Sequence, residues 1–362
     1  MSDNFCVIMG GGIGSRFWPF SKEEYPKQFL DFFDDGRSLI QMTFDRFSKI
    51  IPVENIYIVT NVKYSALVRE QLPMLPEANI LLEPARLNTA PCIAYASYHI
   101  RACNPKANIV VAPSDHWIEK EEVFLDNIMQ GLDFVRNKSA LVTLGIKPSR
   151  AETGYGYIQS RDDKDCVFAK VKTFIEKPDI ELAKVMFESG EFFWNSGLFL
   201  WNVNSILQAF EKHLPEIFNC FEPGKELFNT PEEDNFIREN FQRCPNISID
   251  RGIMEHADNR YVMCVDFGWT DLGSWGAVYE HAKTKDGRDN ALMKNSKALF
   301  YEASGNLVAI DDPERLVVIE GLHDYIVAQS GNNLLICRKS NEQQIREFVE
   351  ELNTRFVKDY KN

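Results

Sequence analysis

The first 145 residues alternate short apolar runs with segments of helical periodicity, and this alternation constrains the fold more than any other feature of the sequence. The apolar runs have no regular polar interruptions, which is typical of strands covered on both faces. They lie at residues 5–9, 55–60, 79–82, 108–112 and 140–144. Because a helical segment follows each of the first four, we predict an α/β fold with a Rossmann-like mixed sheet that is mostly parallel.

The middle of the chain is richer in strands. Strand-like runs at 155–159, 166–176 and 192–201 precede helical segments at 203–221 and 232–241. Such a change of pattern indicates that the sheet gains further strands after the alternating region.

Polar residues gather at 283–290, which is the best candidate for a linker. Beyond it, short strand-like runs follow at a spacing of roughly ten residues, as in a small β-sandwich, barrel or β-helix. An amphipathic segment at 342–352 follows these runs. We therefore predict one domain at 1–288 and a small β-rich domain at 289–362.

Charge and cysteine usage exclude several classes of function. The 53 acidic side chains outnumber the 40 basic ones, and no run of basic residues is longer than two, so we expect no nucleic-acid partner. The first apolar stretch, 5–9, is too short for a signal peptide or a membrane span, and we expect a cytoplasmic protein with no membrane partner. The eight cysteines are scattered without a CxxC pair, which favours reduced thiols over disulfides or zinc.

A glycine-rich loop follows the first predicted strand, and its glycines are Gly10, Gly11, Gly12 and Gly14. Glycines there allow backbone N–H groups to approach phosphate oxygens, although a flexible turn is the alternative. The loop is neither a dinucleotide fingerprint, since Ser15 replaces the last glycine, nor a P-loop.

Two cations flank the segment that continues from this loop. Arg16 and Lys27 lie on either side of a stretch stiffened by Pro19 and Pro26 and anchored by aromatic residues. Each alone is ordinarily a solvated side chain, but the pair suits a polyphosphate whose charge grows during reaction.

Together, the glycine loop through Arg16 and the run Pro26-Lys27-Gln28-Phe29 resemble the signature of the sugar-1-phosphate nucleotidyltransferases. The continuation Phe17-Trp-Pro-Phe-Ser21 resembles the mannose-1-phosphate guanylyltransferase branch of that family. Other blocks match in order: Glu83–Pro91, Pro113–His116, Thr153–Ile158, Phe174–Pro178, Trp194–Gly197, Ser248–Asp250 with Met254-Glu255, and Asp266–Trp275.

The resemblance implies a nucleotidyltransferase fold of the GT-A-like type with a β-helix-like tail, and a homodimer. It implies transfer of GMP from GTP to mannose 1-phosphate, giving GDP-mannose and pyrophosphate with Mg²⁺ as cofactor. A related enzyme for another base or hexose, and a catalytically silent sugar-nucleotide sensor, are the alternatives. Since no clustered His/Glu motif follows residue 290, we expect transferase activity without the isomerase activity of some relatives.

Candidate nucleotide ligands follow the third predicted strand. Glu83, Asn88 and Thr89 could read a purine edge or ribose hydroxyls, and the resemblance adds Ser114. Family members have arginine directly before Asn-Thr-Ala-Pro. Here Leu87 stands in that place, and Arg86 is the candidate replacement.

Two aspartates are candidate ligands for Mg²⁺. Asp115 follows the strand at 108–112, and a carboxylate at a strand's carboxyl end suits a hard cation beside polyphosphate. A helix cap is the alternative reading from the residue alone, and the resemblance favours the metal. Asp271 is the second candidate, with Asp250 and Asp266 as alternatives.

The sugar phosphate is assigned to four residues: Gly154, Glu176, Lys177 and Asn195. Gly154 allows close backbone approach, Glu176 accepts from hydroxyls, and Lys177 meets the phosphate. Asn195 can donate and accept. A surface turn is the alternative reading of Glu176-Lys177-Pro178.

Overall fold

The structure is a computed structural model that describes residues 3–161 and 167–357. It divides into two compact units. The first unit comprises Met1–Gly11, Thr43–Ser114 and Ile118–Trp269, and the second comprises Gly12–Met42, Asp115–Trp117 and Thr270–Asn362.

Strands and helices are numbered here in chain order. The strands are β1 (Asn4–Met9), β2 (Ile56–Asn61), β3 (Ile80–Glu83), β4 (Asn108–Pro113), β5 (Trp117–Ile118), β6 (Leu141–Ile146), β7 (Tyr157–Ser160), β8 (Phe168–Ile175), β9 (Phe192–Asn202), β10 (Arg260–Val265), β11 (Trp269–Thr270), β12 (Ala291–Met293), β13 (Lys297–Tyr301), β14 (Leu307–Ile310), β15 (Leu316–Glu320), β16 (Tyr325–Ser330) and β17 (Asn333–Arg338). The helices are α1 (Leu39–Ser48), α2 (Ser65–Gln71), α3 (Thr89–Cys103), α4 (Glu121–Val135), α5 (Ile180–Ser189), α6 (Val203–His213), α7 (Pro215–Phe221), α8 (Glu233–Asn240), α9 (Trp275–Glu280) and α10 (Ile345–Leu352).

The first unit contains a nine-stranded mixed sheet with the order β3-β2-β1-β4-β9-β6-β10-β8-β7. Strands β3, β2, β1 and β4 pair in parallel, as do β6 and β10, whereas β9 is antiparallel to both β4 and β6. The predicted α/β fold with a mixed sheet is confirmed.

Helix α3 shows why this sheet is covered so completely. Its residues from Ala90 to Ile100 are all buried, since the helix packs between β1 and the helices α6 and α7. A helix that is apolar or small on every side is stable only in such an interior position. The strands beneath it are covered in the same way, because β1 and β2 are buried along nearly their whole length.

The parallel strands place several chain segments at one edge of the sheet. Gly10 follows β1, Glu83 ends β3 and Ser114 follows β4. Since β1 to β4 run in parallel, these residues share the carboxyl edge, where open α/β sheets bind ligands.

The second unit contains a β-helix-like region. Strands β12, β14 and β16 pair in parallel, β17 closes this sheet in antiparallel fashion, and β13 pairs in parallel with β15. The chain therefore passes alternately between two sheets as it winds, which confirms the predicted β-helix-like fold. In the core of this unit the Trp275 ring packs edge-on against Phe17 at 5.4 Å and Phe32 at 6.0 Å between centroids.

Two predicted helices differ from the structure. The segment at 203–221 is two helices, because Leu214 leaves the helical conformation and Pro215 starts α7. The segment at 342–352 begins as a 3₁₀ turn, and α10 starts only at Ile345. The strand predicted at 166–176 is β8, and Cys166 lies outside the described residues. Within the described ranges, no helix is long and apolar enough to cross a membrane.

Candidate active site

Lys27 lies at the centre of a charged cluster in the second unit. Its Nζ is 3.0 Å from Oδ2 of Asp115 and donates to the carbonyl oxygens of Asp271 and Leu272, each at 3.2 Å. The Lys27 and Asp115 side chains are only 11% and 19% exposed. The backbone N–H of Lys27 also donates to the Ile13 carbonyl at 3.3 Å, which ties the cation to the glycine loop. We call Gly14, Lys27, Asp115 and Asp271 the Lys27 cluster.

The absence of a side chain at Gly14 leaves room for the aliphatic part of the Lys27 side chain. The φ of Gly14 is +72°, a conformation that favours glycine, and a Cβ added there would lie 2.7–2.8 Å from Cβ, Cγ and Cδ of Lys27. A side chain at this position would therefore strain the loop and displace the lysine at once.

The Lys27 cluster contains the donor types that magnesium prefers, although Asp271 contacts Lys27 through its backbone carbonyl oxygen and not through its carboxylate. Asp115 and Asp271 contribute carboxylates, and that of Asp271 accepts from the Gly273 N–H at 2.9 Å. Within residues 3–161 and 167–357, no group of three or more His, Cys, Asp or Glu side chains is placed to hold a metal. Mg²⁺ needs no such group, because it is commonly held by one or two carboxylates together with substrate phosphates and water.

The two alternative aspartates have other partners in the first unit. The Asp266 side chain is 89% exposed and pairs with Lys120 at 3.5 Å. Asp250 accepts a hydrogen bond from Asn195. Neither contact involves Lys27, whereas the backbone carbonyl oxygen of Asp271 accepts from Lys27 Nζ, and Asp271 therefore stays the candidate for the second metal ligand.

Arg16 lies on a 3₁₀ turn (Ser15–Phe17) and donates from Nη1 to Oε1 of Gln343 at 3.0 Å. The two residues are 327 positions apart. Nothing in the sequence pattern pointed to Gln343, which therefore is a partner that sequence reasoning missed.

Glu83 is a buried carboxyl at the carboxyl edge of the first unit's sheet. Its side chain lies beside Gly11, since a Cβ added to that glycine would be 3.7 Å from Oε2 of Glu83. Its Oε1 has no hydrogen-bond partner among the described residues. Burial raises the pKa of Glu83 to about 8, against smaller opposing effects of Cys92 and Arg86. The carboxyl is therefore largely protonated at neutral pH.

Arg86 rests against an aromatic ring. Its guanidinium hydrogen-bonds the Tyr64 hydroxyl and lies 5.5 Å from the centre of that ring. Its positive charge favours the ionised form of Glu83. The structure thus places Arg86 near Glu83, although one residue earlier than the family pattern.

Asn88, Thr89 and Ser114 have structural contacts of their own. Asn88 caps α3 with a positive φ of 70° and accepts from the Thr89 N–H at 3.0 Å. The Thr89 hydroxyl accepts from the Ile249 N–H at 2.9 Å. Ser114 is buried, and its N–H donates to the Met9 carbonyl at 3.1 Å. These three residues therefore each have a structural role at the carboxyl edge of the sheet.

Glu176 and Lys177 follow β8 and form an ion pair, with Nζ 2.9 Å from Oε1. The Glu176 side chain is nearly buried whereas that of Lys177 is largely exposed. Lys177 has a positive φ of 48°, an uncommon conformation for a residue with a side chain. Strain of this kind is concentrated at ligand sites, which favours the functional reading over a simple surface turn.

The glycine that lies next to Glu176 is Gly156, and not Gly154. A Cβ on Gly156 would lie 2.8 Å from Oε2 of Glu176 and 3.3 Å from Cβ of Asn195. Gly154 instead is exposed, and its N–H donates to the Glu152 carboxylate at 3.0 Å. Sequence reasoning missed Gly156, although it stands in the same Gly-Tyr-Gly-Tyr motif.

Asn195 is held by a network that we call the Asn195 network (Thr143, Glu176, Asn195 and Asp250). Its Oδ1 accepts from the Thr143 hydroxyl at 2.9 Å, and its Nδ2 donates to Oδ1 of Asp250 at 2.8 Å. Among the described residues this amide has one hydrogen bond to give that no other side chain takes.

Asp250 was weighed only as a metal ligand in the sequence, and its place in this network was missed. Burial, with a smaller contribution from the neighbouring Glu176 charge, raises the pKa of Asp250 to about 7 against the opposing effects of Lys177 and of the hydrogen bond from Asn195. Asp250 also begins a π-helical turn (Asp250–Met254), a local distortion common at functional sites.

Comparison with known families identifies the class of protein. Residues 5–286 match the family described as Nucleotidyl transferase, and residues 298–352 match the domain described as MannoseP isomerase/GMP-like beta-helix domain. The chain belongs to the nucleotidyl transferase family.

Relatives that align with nearly the whole chain share the name mannose-1-phosphate guanylyltransferase. Mannose-1-phosphate guanylyltransferase 2 of Escherichia coli O157:H7 is 34% identical over an alignment of 360 positions that covers 96% of this chain and 73% of the relative. Mannose-1-phosphate guanylyltransferase RfbM of Salmonella typhimurium is 35% identical over an alignment of 363 positions that covers 98% of this chain and 74% of the relative. The resemblance to the mannose-1-phosphate guanylyltransferase branch is confirmed.

Solved structures agree with the fold. A crystal structure from Thermus thermophilus, described as a mannose-1-phosphate geranyltransferase, superposes with a TM-score of 0.86 at 27% identity and covers 97% of this chain and all of that one. A mannose-6-phosphate isomerase from Helicobacter pylori superposes with a TM-score of 0.61 at 26% identity, covering 74% of this chain and 99% of that one.

Proposed function

We propose that the protein transfers GMP from GTP to mannose 1-phosphate, giving GDP-mannose and pyrophosphate. The observation that carries the proposal is the Lys27–Asp115 pair, tied by a backbone hydrogen bond to the glycine loop. A shielded cation that is tied to the glycine loop and paired with a hard oxygen ligand suits nucleotidyl transfer, which needs positioning and charge stabilisation rather than a covalent nucleophile.

In this reaction an oxygen of the sugar phosphate forms a bond to the α-phosphorus of GTP. The bond from that phosphorus to the β-phosphate bridging oxygen breaks, and pyrophosphate carries the electron pair away. Arg16 and Lys27 neutralise the triphosphate and the departing pyrophosphate, and the N–H groups of residues 10–14 bind its oxygens. Mg²⁺ held by Asp115 and Asp271 would supply further charge neutralisation on phosphate oxygens.

The base and ribose are assigned to the carboxyl edge of the first unit's sheet. A protonated Glu83 can donate to an acceptor on guanine, and its Oε1 lacks a partner among the described residues. The other residues assigned to the base and ribose are Arg86, Asn88, Thr89 and Ser114. Arg86 takes the role of the arginine that other family members have one place later.

Mannose 1-phosphate is assigned to the Asn195 network and its neighbours. Glu176 accepts from sugar hydroxyls, Lys177 meets the phosphate, and the remaining amide hydrogen of Asn195 donates to a sugar oxygen. Gly154 lies on the exposed loop before β7 and would allow the chain to approach the ring.

A substrate panel tests the proposal. The four common nucleoside triphosphates are each combined with mannose, glucose and fucose 1-phosphates, and pyrophosphate release is measured with Mg²⁺, with EDTA, and after Mg²⁺ is restored. We expect the highest kcat/KM for GTP with mannose 1-phosphate, and loss of turnover in EDTA that Mg²⁺ reverses. Preference for another pair would support the alternative base or hexose, and GDP-mannose binding without any pyrophosphate release would support a silent sensor.

We also propose that the protein is a homodimer joined through the β-helix-like region. Strands β13 and β15 pair so that Leu299 lies opposite Val318, and their outward face is apolar. Leu299, Tyr301, Leu316 and Val318 are each 55–76% exposed. An apolar face of this kind typically marks a protein contact.

A further inference from the structure

Cys103 ends helix α3 in the first unit and has a group of titratable neighbours that the proposed reaction does not use. The residue is exposed, and its Sγ lies 3.8 Å from the Tyr57 hydroxyl. His99 lies one helical turn earlier on the same helix, and i and i+4 positions share a helix face. A nucleophilic side chain, an imidazole and a hydroxyl therefore meet at one place.

A buried carboxylate fixes the imidazole. His99 Nδ1 lies 2.8 Å and 2.9 Å from the two carboxylate oxygens of Glu233, and both side chains are largely buried. Glu233 is itself held, because it accepts the Asn229 N–H at 2.5 Å. Cys103, His99 and Glu233 thus follow one another as a nucleophile, an imidazole and a carboxylate that orients the imidazole.

The electrostatics of these groups agree with the geometry. Burial lowers the pKa of His99, but hydrogen bonds with Cys103 and Glu233 raise it to about 9, so the ring is charged at neutral pH. Burial raises the pKa of Cys103, but the hydrogen bond and charge of His99, with a hydrogen bond from Tyr57, bring the pKa below its usual value. The Glu233 charge acts in the opposite direction and raises the pKa of Cys103. Tyr57, His99 and Glu233 are therefore the described residues whose groups act on the thiol.

We infer that Cys103 is a reactive cysteine and a site of covalent modification by low-molecular-weight disulfides, with His99 and Glu233 as its positioning residues. In the step, the Cys103 sulfur attacks one sulfur of the disulfide and forms a mixed disulfide. The old sulfur–sulfur bond breaks, and the other half leaves as a thiolate that takes a proton from solvent. The disulfide is the oxidant, so the step needs no further co-reactant.

The chain carries an internal control. Cys264 is the other exposed cysteine among the described residues, and burial of its thiol raises the pKa to about 11. No histidine contributes to its pKa. The two sites therefore compare two exposed cysteine residues, one beside the His99 imidazolium and one whose thiol pKa is set by burial.

The test uses the full chain, oxidised glutathione as the probe, and peptide mass spectrometry after timed quenching between pH 6 and 9. The pKa of Cys103 lies below the usual thiol value whereas that of Cys264 is raised to about 11, so Cys103 holds more thiolate at pH 7, and the lower nucleophilicity of the more acidic thiol offsets only part of this advantage. We expect Cys103 to react about tenfold faster than Cys264 at pH 7, with a midpoint of its rate profile below that of a free thiol.

Variants separate an activated thiol from a merely accessible one. Cys103→Ser should abolish the fast adduct, and His99→Gln should move the rate midpoint upward. Because His99 is buried and its loss could unfold the chain, Tyr57→Phe gives a milder readout: it keeps the ring and should raise the midpoint by a smaller amount. A Cys103 rate equal to or below that of Cys264 at pH 7, or a midpoint unchanged in Tyr57→Phe and in folded His99→Gln, would overturn the proposal.

Discussion

The ammonium of Lys27 and the carboxylate of Asp115 form an ion pair at 3.0 Å that is largely shielded from water. Water and salt screen a shielded ion pair less than a surface pair. Each of the two charges therefore interacts strongly with any substrate group that takes the place of its partner. In the proposed reaction Lys27 turns to phosphate oxygens and Asp115 to a hard cation. Without substrate, Lys27 and Asp115 neutralise each other. When substrate binds, the lysine charge is available for the phosphate and the aspartate charge for the cation.

Removing either charge of this pair should remove most of the turnover. We expect Lys27→Ala and Asp115→Ala to keep the fold and to lower kcat/KM by roughly 10²–10³, the size associated with losing one charge-stabilising group. Pyrophosphate release measures the rate, and circular dichroism checks the fold. Lys22→Ala, on the same loop, is the matched control and should retain activity. Near-wild-type turnover in either cluster variant would contradict the assignment.

Gly14 should be needed for the position of Lys27 as well as for the turn itself. Gly14→Ala places a Cβ 2.7–2.8 Å from the lysine stem at a φ of +72°. Gly36→Ala is a matched control, because its φ is +71° and no atom lies within 4 Å of the added Cβ. We expect both variants to lose about 1–2 kcal/mol of stability in denaturant titrations from the strained φ, and only Gly14→Ala to lose activity by tenfold or more. Equal activity in the two variants would show that the Lys27 contact is unimportant.

Glu83 should act through its neutral form. Because burial raises the pKa to about 8, Glu83→Gln resembles the carboxyl that predominates at pH 7. We expect the GTP affinity of Glu83→Gln to stay within about threefold of wild type at pH 6.5, whereas Glu83→Ala loses tenfold or more, as expected for one lost hydrogen bond of about 1.4 kcal/mol. Isothermal titration calorimetry would measure both. Wild-type binding should weaken above pH 8, and binding by Glu83→Gln should not. Equal losses in the Gln and Ala variants would rule out a neutral carboxyl.

Asp250 makes folding stability depend on pH in a defined direction. Its pKa rises from 3.8 in the unfolded chain to about 7 in the fold, so the native state holds a proton that the unfolded state releases. Its contribution to stability is therefore complete below about pH 4 and is lost as pH rises towards 7.

Asp250→Asn should remove this dependence while keeping an oxygen that accepts from Asn195. We expect the variant to gain stability relative to wild type as pH rises from 4 to 7, on the order of 2–4 kcal/mol in total, and to level off above pH 7. Urea unfolding at pH 5 and pH 8 is the measurement. A stability difference that stays constant between these two pH values would mean that Asp250 is ionised throughout.

The proposed dimer should depend on the outward face of β13 and β15. Val318→Asp puts a charge on that apolar face and should convert a dimer to a monomer in light scattering at micromolar concentration. Val185→Asp is the matched control, since Val185 on α5 is 64% exposed and Val318 is 66% exposed. A strictly monomeric wild type, or a dimer that survives Val318→Asp, would argue against this interface.

The sequence predicted the sheet and its carboxyl edge well, because apolar runs encode strands and parallel strands end at one edge. Glu83 was assigned to that edge, and the structure places it there at the end of β3. Gly14 was assigned only as part of a phosphate loop, whereas its contact with Lys27 depends on a φ that residue type alone does not reveal.

Contacts between distant residues were the part that the sequence did not reveal. The hydrogen bond between Asn195 and Asp250 joins residues 55 positions apart, and that between Arg16 and Gln343 joins residues 327 apart. Local patterns predict elements and their ends, but such pairs depend on how the chain packs after the elements form. This is why Asp250 was weighed as a metal ligand and Gly156 was overlooked.

The most direct test of the account is a crystal structure of the protein soaked with GTP and Mg²⁺. We predict triphosphate density within hydrogen-bonding distance of the N–H groups of residues 10–14, with Lys27 Nζ turned to a phosphate oxygen and Asp115 bound to the metal. A nucleotide that binds away from residues 10–27, with the Lys27–Asp115 pair intact, would contradict the central claim.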